Sequence, residues 1–197
     1  MTTILLMSVL LTADQTVSSA QQLYESGRYQ DVVTLLQTTL AAQTPPDQLF
    51  LLAQSQLKLD RSADAQAALA PLLSLPVDDP WRLIAESAAT NIAGDIPGAV
   101  DRATKAVALA PTNAYAQYQL GLARAANRDA AAAAAAFEQA AGLNPRFAYA
   151  HYYAGLSYYN AKRLDKMTTF FEHFVKLAPN APERPAVESI LRSIRGR

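Results

Sequence analysis

The chain has 197 residues, 51% of them hydrophobic and 17% charged, with 11 Pro and 7 Gly. That composition supplies one packed domain or one short repeat array and is too apolar for a disordered chain. The formal net charge is zero and there is no cysteine, so no global field draws nucleic acid, and disulfides, thiolate metal sites and a cysteine nucleophile are excluded.

The zero net charge conceals an asymmetry. Residues 1–98 carry four Lys/Arg against ten Asp/Glu, and residues 99–197 carry thirteen against seven. One reading is uneven surface decoration. The other is an elongated molecule with an acidic head and a basic tail, suited to head-to-tail contacts or to an acidic partner at the C-terminal end.

At the N-terminus, Ile4 to Leu11 is apolar except for Ser8. At about 1.5 Å per residue this stretch cannot cross a hydrocarbon core of about 30 Å, so no transmembrane span is expected. Residues 1–13 read as a secretory signal or as an apolar helix end packed on the first repeat. The small residues Ala13 and Ser18-Ser19-Ala20 favour cleavage and export; the lack of a preceding Lys or Arg speaks against it. Export to a periplasm-like compartment is slightly favoured over a cytoplasmic location.

From Asp14 onward the dominant signal is a repeat. Gly27-Arg28-Tyr29 forms a turn, followed by Val32, Val33, Leu35 and Leu36. Units then begin near Pro46, Pro80, Ala114 and Ala148. Pro111, Pro145 and Pro179 lie 34 residues apart, each two residues after a leucine (Leu109, Leu143, Leu177), and Leu75 continues that column upstream. The period accommodates two helices of about 12–14 residues and two turns. In the last unit Tyr149, Tyr152, Tyr153, Leu156 and Tyr159, then Met167, Phe171 and Phe174, recur at helical spacing. Asp129 caps a run of seven alanines, Ala130 to Ala136, which has the best helix propensity. One misfit stands out: Glu86 falls in the column of Leu52 and Leu120, which predicts a partly exposed side chain or a loosely packed unit. Pro182 and Pro185 open a final helix with Val187, Ile190, Leu191 and Ile194 on one face, read as a cap over the last apolar surface. The fold class is therefore all-α. Residues 14–179 form an array of about five helical hairpins, and residues 180–197 form the capping helix and a basic tail.

Leu120-Gly121, Ala133, Phe137, Ala140 and Pro145, then Ala154-Gly155, Tyr158, Phe171 and Pro179, resemble the tetratricopeptide repeat family. The resemblance covers roughly residues 14–179. It implies a right-handed α-solenoid in which small residues of paired helices meet: Gly121 with Ala133, Ser87 with Ala99, Ala53 with Ala65. It also implies that the first helix of each pair lines a concave surface. The groove residues would then be Phe50, Trp81, Ile84, Tyr115, Tyr118, Leu122, Tyr149, Tyr152, Leu156 and Tyr159. Some family members clamp a terminal carboxylate on this surface. Here Phe50, Ile84, Tyr118 and Tyr152 fill one such column, and Gln54, Ala88, Leu122 and Leu156 another, so that clamp is not expected.

No catalytic constellation emerges. His151 falls on the packed side of a first helix, in the column of Leu49 and Leu83, and reads as a core histidine. His173 reads as solvated. No zinc-type His-Glu-x-x-His, phosphate-cradling glycine loop or nucleophile elbow is present. The basic residues make no continuous stripe for nucleic acid. The expectation is a non-catalytic scaffold without cofactor or metal, binding a protein or peptide segment through apolar anchors. The alternative is a self-associating structural repeat protein of an envelope or other assembly, a homo-oligomer.

Overall fold

The computed structural model describes residues 13–39 and 44–195. The question of a cleaved N-terminal segment lies outside the described residues. Within them the chain is a stack of helices: α1 (Ala13–Glu25), α2 (Tyr29–Thr39), α3 (Pro46–Lys58), α4 (Ser62–Leu73), α5 (Pro80–Ile92), α6 (Ile96–Leu109), α7 (Ala114–Ala126), α8 (Ala130–Leu143), α9 (Ala148–Asn160), α10 (Leu164–Leu177) and α11 (Arg184–Arg195). The units expected near Pro46, Pro80, Ala114 and Ala148 begin at those residues.

The hairpins share one turn. Gly27, Asp60, Gly94, Arg128 and Lys162 all adopt positive φ, from 58° to 87°, and they succeed one another every 33 or 34 residues. At each, the following N–H reaches back to the last turn of the preceding helix, for example Arg61 N–H to Gln56 O and Asp129 N–H to Arg124 O. These bonds satisfy carbonyls that the helix end leaves free and reverse the chain. Glycine adopts positive φ without strain; Asp60, Arg128 and Lys162 do so at a cost of about 1–2 kcal/mol each.

One apolar cluster runs from Ala20 in α1 to Ala154 in α9, and a second joins α8 through α11. The small residues expected to meet between paired helices lie in the interior. Ala53 and Ala65 are fully enclosed, and Ser87 donates its hydroxyl to the Ala99 carbonyl at 2.8 Å. Glu86 is partly exposed and held by Arg82 at 2.8 Å, so the apolar column is relieved there by an ion pair. The final helix packs Val187 and Leu191 against the second cluster, covering the end of the stack.

The two ends of the described chain meet. A Cβ on Gly27, in the α1–α2 turn, would lie 3.0 Å from the Pro182 ring. A cleft of about 480 Å³ separates α1 from Leu177 to Asn180. The acidic and basic halves therefore close on each other, rather than forming the head and tail of an elongated body.

Candidate functional site

The side chains expected to line the groove converge, but the groove is shut at its centre. Caps position its entrance. Asp79 accepts from Trp81 N–H at 2.8 Å, and Asn113 accepts from Tyr115 N–H at 2.9 Å, fixing these two aromatics in the first turns of α5 and α7. Their rings lie side by side with centroids 5.1 Å apart. Tyr115 meets Phe147 at 5.3 Å. Trp81 and Tyr115 are half-buried, as are Leu122, Tyr152 and Leu156, and Tyr159 is exposed.

Deeper in, the expectation of an open surface is corrected. Phe50, Ile84, Tyr118 and Tyr149 are at most 2% exposed. Phe50 and Tyr118 sit edge to face at 6.5 Å, and Tyr118 packs on Phe147 at 4.7 Å. Tyr24 of α1, which sequence reasoning does not place here, meets Tyr149 of α9 at 5.0 Å. The hollow left between Tyr24, Phe50, Tyr115 and Tyr118 measures about 10 Å³, room for at most about one water. The wall formed by α1 and α3 thus rests directly on the wall formed by α7 and α9.

A polar clasp crosses the same space. Lys58 Nζ, at the end of α3, lies 3.1 Å from Glu183 Oε1, and Tyr149 donates its hydroxyl to Glu183 Oε2 at 2.9 Å. Because a carboxylate only accepts, the Tyr149 O–H is committed to that bond, and its oxygen accepts from the Tyr29 hydroxyl at 3.2 Å. The Lys58 ammonium also faces the rings of Tyr29, Tyr149 and Tyr153 at 5.2–5.9 Å, within cation–π range. Burial favours the neutral amine, yet Tyr153, Tyr29 and Glu183 outweigh it and raise the Lys58 pKa above its ordinary value. Burial raises the Tyr24 and Tyr118 phenols well above their usual range, and burial together with Asp47 pushes Tyr115 up to about 12.

His151 is a core residue, 5% exposed. Its Nε2 lies 3.0 Å from the Pro145 carbonyl, so this nitrogen carries the proton. Burial lowers its pKa from 6.5. His173 is exposed, with its ring 5.2 Å from that of His151. No group of three or more His, Cys, Asp or Glu able to hold a metal occurs among the described residues. Nor is any described helix long and apolar enough to cross a membrane.

No family model matches the chain, and no curated protein matches it. Solved structures do. A thermophilic TPR protein of Thermus thermophilus, TTC0263, superposes with a TM-score of 0.64 at 22% identity, over 92% of this chain and 98% of that one. The chain has the tetratricopeptide-repeat fold. The first TPR of Spaghetti (RPAP3), bound to an HSP90 peptide, matches at a TM-score of 0.55 and 20% identity, over 62% of this chain and 94% of that one. MamA matches at 0.50 and 20%, over 80% and 93%. At these identities the tetratricopeptide likeness extends to architecture. The closed centre and the Lys58–Glu183 clasp are read from this chain's own residues.

Proposed function

We propose that this tetratricopeptide-fold chain is a non-catalytic protein–protein interaction scaffold that takes a peptide or helix segment with apolar anchors. The observation that carries the reading is the partly exposed strip of Trp81 and Tyr115, two rings in contact at 5.1 Å on adjacent first helices. Large aromatic rings offer contact area at low conformational cost, with polar edges that bond a peptide backbone. Both rings pack on the buried Phe50, at 6.3 and 6.0 Å, and keep part of their surface open to a segment. The structural neighbour that carries an HSP90 peptide supports a peptide as the form of the partner. A transient interface under about 1,200 Å² with micromolar affinity, about −8 kcal/mol, suits such a strip.

The test is crosslinking capture from the native host with the full chain as bait. Trp81→Ala with Tyr115→Ala should remove the captured partner while helicity and cooperative unfolding persist. Undiminished capture by that double variant would overturn the assignment.

A further inference from the structure

Resting on the scaffold reading, we infer that Lys58 and Glu183 form the latch of a clamp, and that the partner able to open it carries an acidic side chain beside its apolar anchors. The walls of the concave face touch, so a segment entering deeper than Trp81 and Tyr115 must part Tyr24 from Tyr149. The same movement separates Lys58 on α3 from Glu183 on the segment between α10 and α11, residues 125 apart in sequence.

The side chains of Lys58 and Glu183 are only 26% and 17% exposed. Removing one partner of such a pair leaves a charge without its counter-ion in a poorly solvated place, which is strongly unfavourable. Tyr149 loses its acceptor in the same step. The three tyrosine rings around the ammonium stay with it only in part, since Tyr29 opens α2, beside the first wall, whereas Tyr149 and Tyr153 lie on α9 of the second. An entering segment of purely apolar character would leave Lys58 unpaired. One bearing Asp or Glu replaces the Glu183 carboxylate, keeps the lysine neutralised and gives Tyr149 a new acceptor. The position of Lys58, in the last turn of α3, places this acidic contact at the edge of the aromatic face.

The full chain and acetate as probe test this directly. Glu183→Ala removes the atoms that acetate can restore. Amide exchange in residues 19–39 should accelerate at least tenfold in Glu183→Ala and in the shape-conserving Glu183→Gln. Acetate should return Glu183→Ala toward the wild-type rate, whereas an equal concentration of chloride should not. Lys58→Met with Glu183→Leu, which fills the site with apolar groups, should exchange like wild type and ignore acetate. Wild-type exchange in Glu183→Gln would overturn the latch. Acceleration in Glu183→Ala that acetate does not reverse would overturn the acidic partner. Host-partner capture through Trp81 and Tyr115 is a separate readout, so failure here with capture intact removes the latch and leaves the scaffold standing.

Discussion

Gly155 lies against the ring of Phe171, and one repeat earlier Gly121 stands in the same relation to Phe137, where an added Cβ would sit 2.6 Å from Phe137 Cδ1. Each glycine lets the second helix of its hairpin seat an aromatic ring on the backbone of the first. The sequence pairs Gly121 with Ala133, and both are buried, but the contact that needs a missing side chain is with Phe137. Gly155→Ala should therefore destabilise by about 1–3 kcal/mol through overpacking. Gly142, in α8, faces open space within 4 Å, so Gly142→Ala should stabilise by about 0.5–1 kcal/mol through reduced backbone entropy. Urea unfolding of the two variants checks both signs. Equal effects would show that the ring contact does not set the helix spacing.

The tetratricopeptide resemblance implies an accessible surface for Tyr118, yet it is 2% exposed, in contact with Phe50, Phe137, Phe147 and Tyr153. Truncating a large aromatic enclosed in this way removes its buried area and leaves a cavity. Tyr118→Ala should cost about 3–5 kcal/mol. Tyr159→Ala, at 40% exposure, should change stability by less than about 0.5 kcal/mol. Thermal melts separate them, and near-equal midpoints would contradict the closed centre. A loss of binding in Tyr118→Ala therefore reports damage to the fold before it reports an interface.

The hairpins were legible because their signals are local and periodic. The prolines, the small-residue pairs and the aromatic columns recur with the repeat, and the helix starts at Pro46, Pro80, Ala114 and Ala148 follow from them. The closure was not legible. It depends on small rotations between successive hairpins, summed over the whole stack, and no single period encodes that sum. Lys58 and Glu183 illustrate the point. Neither belongs to a repeated column, and only the curvature of the stack brings them to 3.1 Å. The same curvature turns Tyr24, a residue without distinction in the sequence, into a central core residue.

His151 gives the stability an acidic limb. Burial depresses its folded pKa below the ordinary 6.5, so the unfolded chain binds the proton first as pH falls. The contribution of neutral His151 is fully present above pH 6.5 and is lost progressively below it, down to the folded pKa. His151→Gln keeps a donor for the Pro145 carbonyl and removes the titration. Its stability should be flat across the interval just below pH 6.5, while that of the wild type declines. Parallel declines in urea midpoints would show that His151 is not the group responsible.

The buried tyrosines set the alkaline limb, with the opposite sign. Their folded pKa values are raised above the ordinary 10, to about 12 for Tyr115, through burial first and then Asp47, and well above 10 for the fully enclosed Tyr24 and Tyr118, chiefly through burial. The folded state holds these protons after the unfolded chain has released them. Stability is thus fully present below pH 10 and is lost as pH rises from there toward 12 and beyond. Tyrosinate absorbance should show the buried phenols ionising together with loss of helical signal, late and cooperatively. Tyr115→Phe removes one such group without removing the ring, and should shift the alkaline midpoint upward. An unchanged midpoint would mean that Tyr115 is solvated in the native protein and that the aromatic strip it shares with Trp81 is looser than the 5.1 Å ring contact requires.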